Sequence, residues 1–217
     1  MEKRNTILLT VIAVATLLVA VVGATFAYFA QSGDYNGTAN LTANTAGASS
    51  EFIAVGSDIT LQVPAANMVE ANKGNQVTTQ TANDAIKVSF KAGTNEPLSC
   101  SYQLYYEWNS GEYEMTTGAV GDKEFTYTIS KVQNDDNTTT PTTGYTELVS
   151  ETNFVKSTTS GKTNVGTKQS ISNNSPTTAT VDHYQITVKF YNLAQDQTAT
   201  KAGKTWNLKF GVTDVVC

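Results

Sequence analysis

Histidine, cysteine and charge are all scarce in this chain, and each scarcity closes off a class of chemistry. A single histidine, His183, stands among 217 residues. A zinc hydrolase of the H-E-x-x-H kind needs two histidines one helical turn apart with a glutamate as base, so that chemistry is not expected. His183 opens an alternating stretch on its polar side and reads as a surface histidine, and no G-x-S-x-G elbow marks a serine nucleophile. Of the two cysteines, Cys100 falls on an aromatic strand face and Cys217 ends the sequence. Neither has the electropositive, accessible setting of a reactive thiolate. Charged residues make up 15% of the chain and the formal net charge is −5. Nucleic acid is therefore not an expected partner, because its binding depends on clustered Lys and Arg neutralising phosphates. The runs Asp34-Tyr35-Asn36-Gly37 and Asn134-Asp135-Asp136-Asn137 lack the ordered ligand spacing of a calcium loop. No catalytic residue, cofactor or metal site is expected.

What is present begins at the N-terminus. Lys3 and Arg4 precede an uncharged stretch from Thr6 through Ala30, with small residues at Thr25 and Ala27. A charged start, an apolar middle and small residues around a cut are the layout of a secretory signal peptide. Cleavage is expected between Ala27 and Tyr28; the alternative is a retained anchor, since the run exceeds the roughly 20 residues that span a bilayer. Loss of Glu2, Lys3 and Arg4 with the leader takes the net charge from −5 to −6. Export also bears on the cysteines. An even count outside the reducing cytosol favours one internal bridge, Cys100 to Cys217, over two buried thiols or a bond between chains.

Past the leader, no sustained helical period appears and period-two alternation dominates. Residues 28–57, rich in Ala, Thr, Asn, Gly and Ser, read as an extended arm, and residues 58–217 as one domain of sufficient length to bury a core. Ile59, Leu61 and Val63 alternate with polar neighbours, as do Ile86, Val88 and Phe90. Cys100, Tyr102, Leu104, Tyr106 and Trp108 share one strand face, and Phe125, Tyr127 and Ile129 another. The polar run 134–144 reads as a hairpin tip, and residues 156–180 offer only Val165 and Ile171 for a short edge strand. Tyr184, Ile186, Val188 and Phe190, then Trp206, Leu208, Phe210 and Val212, form two long closing strands. Many strands joined by polar connections predict an all-β, two-sheet sandwich or jelly roll. The tyrosines and tryptophans that alternate along these strands are assigned to core packing and cross-strand contacts rather than to glycan stacking.

Val22-Gly23-Ala24-Thr25-Phe26-Ala27-Tyr28-Phe29 resembles the processing site of TasA- and camelysin-type exported proteins, which the SipW class of signal peptidase cuts at a motif close to G-G-T-[WFY]-A-x-F. Tyr184-Gln185-Ile186-Thr187-Val188-Lys189-Phe190, followed by Gly203 and Trp206-Asn207-Leu208-Lys209-Phe210, is similar to the closing strands of that group. The resemblance implies a jelly roll, a SipW-type peptidase as processing partner, and self-association into filaments in which the freed N-terminal segment adds as a strand to the next subunit. Phe29, Tyr35 and Leu41, scattered apolar residues of the arm, are then the anchors of that strand. A membrane is met only through residues 1–27 before cleavage, and the protein is expected outside the cell or at its surface. The expected function is thus a structural subunit of an extracellular fibre or biofilm matrix. A tethered or secreted adhesin is the alternative from another class. The peptidase label attached to camelysin is less expected here, because one histidine cannot supply a zinc site.

Overall fold

The computed structural model describes Thr16 and residues 39–45, 48–108, 123–155, 161–193 and 203–217. Ten strands account for most of these residues: β1 Ala39–Thr45, β2 Ala48–Gly56, β3 Asp58–Gln62, β4 Gln76–Lys91, β5 Leu98–Trp108, β6 Phe125–Asn134, β7 Thr146–Asn153, β8 Gly161–Asn173, β9 Thr180–Tyr191 and β10 Thr205–Val216. All the ladders are antiparallel. They form a six-stranded sheet in the order β1-β2-β4-β9-β6-β7 and a four-stranded sheet in the order β3-β10-β5-β8.

The pairing has a simple logic. β3 pairs with β10, β4 with β9, β5 with β8 and β6 with β7. One long antiparallel ribbon is thereby wrapped around a common core, with its two halves switching sheets together. This is the jelly roll, and the all-β sandwich read from the alternation is borne out. The β1–β2 hairpin extends the six-stranded sheet beside β4. Phe52 and Ala54 are buried while their neighbours are half-exposed, so β2 presents one apolar face to the core as any inner strand does. The sandwich therefore takes in residues before 58, and the described part of the arm is strand. At the corner between β2 and β3 the chain passes close to β10. A Cβ on Gly56 would stand 2.5 Å from the Phe210 carbonyl oxygen, which leaves room for glycine alone.

The core lies between the sheets and is heavily aromatic. Tyr106, Tyr127, Phe154 and Phe210 meet edge to face or tilted at centroid distances of 4.8 to 6.3 Å. Phe125 is T-shaped to both Phe190 and Trp206, the arrangement that ring quadrupoles favour. Several ladders carry register shifts, and two of these fall at aspartates with positive φ. On β4 the register shifts between Ala82 and Ile86, around Asp84 at φ 52°; on β10 it shifts between Thr213 and Val216, around Asp214 at φ 52°. On β4 four residues span two of β9, so Ala82, Ile86, Val88 and Phe90 keep to the core face, whereas on β10 three residues span two of β5 and every later side chain moves to the opposite face. Trp206, Leu208, Phe210 and Val212 are buried before the second bulge and Val215 after it.

Candidate functional site

Strand edges come first, because assembly is the expected function. Ala27, Tyr28, Phe29 and Tyr35 lie outside the described residues. Leu41 is in β1, in register with Phe52 of β2. Among the described residues β1 takes its ladder from β2 alone and ends the six-stranded sheet on one side, while β7 ends it on the other. A terminal strand keeps one row of N–H and C=O groups outside the sheet's own ladder, and such a row can pair with another chain. β2 is held more firmly: besides its buried Phe52, Glu51 forms an ion pair with Lys91 of β4 at 2.9 Å.

At the opposite end of the chain, the expected bridge is present. Cys100 and Cys217 form a disulfide across 117 positions, with Cα atoms 4.0 Å apart. Its geometry depends on the β10 bulge. Val216 pairs with Ser101, so Cys217 falls opposite Cys100, and the change of parity at Asp214 turns it toward the core face that Cys100 occupies. Closing so long a loop is worth about 4 to 5 kcal/mol in the chain-entropy account, and a disulfide is compatible with an extracellular location.

Two residues from the bridge, a polar knot joins the sheets. Tyr102 OH of β5 donates to Asp182 Oδ2 of β9, and Tyr184 OH, 2.6 Å away, donates to Tyr102 in turn. Lys131 Nζ of β6 is 2.7 Å from the same carboxylate oxygen, and Gln133 Nε2 donates to Oδ1 at 2.6 Å. The register that sets Gln133 beside Asp182 and Lys131 beside Tyr184 puts all four on the inner face. Burial first, and then the neighbouring Tyr184 and Asp182, push the Tyr102 phenol far up; burial and Asp182 do the same to Tyr184. Both phenols stay protonated and act as donors.

His183 corrects an expectation. Read as a surface residue, it is 1% exposed. It does occupy the outward face of β9, but the β6–β7 connection folds back across that face. Nδ1 lies 2.7 Å from Asp84 Oδ1, and Nε2 lies 3.0 Å from Asn134 Oδ1 and 3.1 Å from the Asp136 carbonyl. Thr140 donates to the other Asp84 oxygen and Lys87 to the Asn137 carbonyl, so the 134–144 connection is buckled to β4 on both sides of the ring. Thr138, first, and Thr139 donate to the Asp136 carboxylate and pull its pKa well down. The acceptor-rich run Asn134-Asp135-Asp136-Asn137 was the available signal. That it lies over His183 follows from β6 pairing with β9, which no local pattern reveals.

A third cluster is on the outer face beside β7. Glu151 accepts from Tyr191 OH at 2.6 Å, Lys189 Nζ at 2.9 Å and Thr126 Oγ1 at 3.0 Å. Tyr191 chiefly, with Lys189, holds its carboxyl at about 2. On the four-stranded sheet, Tyr105 faces outward yet is 1% exposed. Its ring lies over Gly211, where a Cβ would come 2.7 Å from the phenol oxygen, and Lys162 Nζ sits 4.6 Å from the ring centroid. That ring is covered on both faces and offers no platform for a sugar. Among the described residues no three His, Cys, Asp or Glu side chains are grouped to hold a metal ion. No protein-family model matches the chain, and no curated protein matches it in sequence.

Proposed function

We propose that this chain is an exported structural subunit of an extracellular fibre or cell-surface matrix, released by a SipW-type signal peptidase after Ala27 and joined to its neighbours by strand donation from its N-terminal segment. The observation that carries the reading is the place of β1. The segment that follows the expected cut precedes in sequence a strand that, among the described residues, ends its sheet and pairs only with β2. The β1 and β7 edges are different surfaces at opposite ends of one sheet. A contact between the donated segment of one copy and an edge of the next is therefore head-to-tail, and a head-to-tail contact that does not close makes a filament. Main-chain hydrogen bonds supply its affinity and alternate side chains its register. The disulfide suits a protein that works outside the reducing cytosol. No reaction is assigned.

The test compares a chain beginning at Tyr28 with one beginning at Ala48, which lacks the arm and β1 but keeps β2, by size exclusion and negative-stain microscopy. Filaments from the longer chain only are expected. Two sharply monomeric proteins, or filaments from both, would sink strand donation, and the monomeric result would transfer the reading to a surface-tethered binding module.

A further inference from the structure

The polar knot between the sheets holds the parts of a condensation reaction. Lys131 Nζ lies 2.7 Å from Asp182 Oδ2, with the carboxylate side chain 0% exposed and the lysine 19%. Tyr102 OH donates to that same oxygen, and Tyr184 OH stands behind it. The remaining oxygen, Oδ1, faces a different donor, Gln133 Nε2, at 2.6 Å. A nucleophilic nitrogen, the oxygen that leaves, a proton donor on that oxygen and a separate donor on the oxygen that stays are thus in one place. β6 and β9 are already adjacent, with Lys131 and Asp182 diagonal to each other on the inner face, two register positions apart, so no strand has to move.

We propose that Lys131 and Asp182 join in an intramolecular amide bond that ties β6 to β9. The ion pair first becomes amine and acid as one proton crosses from Nζ to Oδ2. The Nζ lone pair attacks Cγ, and the charge that develops on Oδ1 meets the Gln133 N–H, a donor in place before the reaction starts. Collapse of the adduct breaks the Cγ–Oδ2 bond. Oδ2 departs as water, its second proton coming from the nitrogen by way of the Tyr102 hydroxyl, which gives one proton and takes another. Three ammonium hydrogens become one amide N–H and two hydrogens of water, with no change of oxidation state and no co-reactant.

Two physical effects favour the step here and not in free solution. Oriented partners in contact react with effective molarities of about 10⁵ to 10⁸ M. In water the separated ions are stabilised by hydration, whereas an ion pair buried between sheets has lost much of that hydration, and condensation removes both charges. Burial keeps the Tyr102 phenol protonated, as a donor to the leaving oxygen must be.

Mass spectrometry decides the matter on the folded, unreduced protein with its N-terminus determined by sequencing. The intact mass is expected one water below that of the disulfide-bonded chain, with a branched peptide joining Lys131 to Asp182 after digestion. Lys131→Arg, which keeps a cation in the knot, restores the full mass; Tyr102→Phe leaves a mixture of joined and unjoined chains. A wild-type mass equal to that of the disulfide-bonded chain, or a deficit mapping to other residues, overturns the proposal. Complete joining in Tyr102→Phe overturns the part given to that hydroxyl. Because the measurement is made on wild-type protein and needs no filaments, its outcome is separate from that of the assembly test.

Discussion

The two chain-end strands of this jelly roll are held in opposite ways. β10 lies inside the four-stranded sheet, paired to β3 on one side and β5 on the other, and a disulfide closes its end. β1 lies at the rim of the six-stranded sheet, paired among the described residues to β2 alone. A strand with two partners, a buried face and a covalent bond opens only when the whole domain unfolds. A strand with one partner can open by itself, at a small fraction of the global stability. The chain is thus fastened at one end and, near the other, keeps backbone hydrogen-bonding groups at an edge. The proposed strand donation, from a domain that stays folded, needs that asymmetry.

Five measurements test how differently the two strands are held, beginning on β10. Phe210→Ala opens a cavity among Tyr106, Tyr127 and Phe154 and is expected to lower stability by about 4 kcal/mol in urea denaturation. Cys217→Ser removes the long-range bridge, with a loss of about 4 kcal/mol; a variant as stable as wild type would show that β10 is held by packing alone. Gly211→Ala drives a methyl group into the Tyr105 side chain, whose phenol oxygen is 2.7 Å and nearest ring carbon 2.8 Å from the added Cβ. That overpacking costs about 2 kcal/mol.

At the β7 edge, the effect is set by pH. Glu151 titrates at about 2 in the folded protein, below its ordinary value of 4.5, through its hydrogen bonds from Tyr191 and Lys189. A depressed carboxyl contributes stability that is complete above the unfolded value and is lost as pH falls from about 4.5 toward 2. Its side chain is 24% exposed, so solvent screening reduces the contribution to about 1 kcal/mol. Glu151→Gln is expected to flatten that acid limb in a plot of unfolding free energy against pH, and an unchanged limb would exclude the cluster as its source. The smallest effect belongs to β1. Beginning the chain at Ala48 is expected to change stability by less than about 1 kcal/mol, and a larger loss would mean that β1 is part of the core fastening.

Much of the fold was legible because the inner strands obey period two. Ile86, Val88 and Phe90, and likewise Tyr184 through Phe190, are buried at alternate positions as read. β1, β2 and β7 were not read as strands for one shared reason. Each lies at or near the rim of the six-stranded sheet, where few large apolar residues are needed and the pattern fades into its polar surroundings. β8, expected as a short edge strand around Val165 and Ile171, runs over Gly161–Asn173, with those two residues and Gln169 buried. Its length is set by pairing with β5, which supplies hydrogen bonds where the side chains give no signal. At the polar knot, Tyr102 and Tyr184 were assigned correctly to the core. Nothing in the alternation marks Asp182, because a carboxylate on an inward position breaks the pattern until its three donors are in place.

By itself, the sequence determined the fold class, the inward faces of the long strands and the sheet of aromatic residues between them, since alternation is a local property of a strand. It also implied the bridge, since two cysteines allow one internal pair. The tertiary structure alone decided which strands pair, where His183 and Asp182 are buried, and how Cys217 meets Cys100. These outcomes depend on contacts between residues far apart in the chain and on a β10 bulge that reverses side-chain parity. A bulge at an Asp with φ 52° leaves no trace in hydrophobic period until the partner strand is in place to count against it.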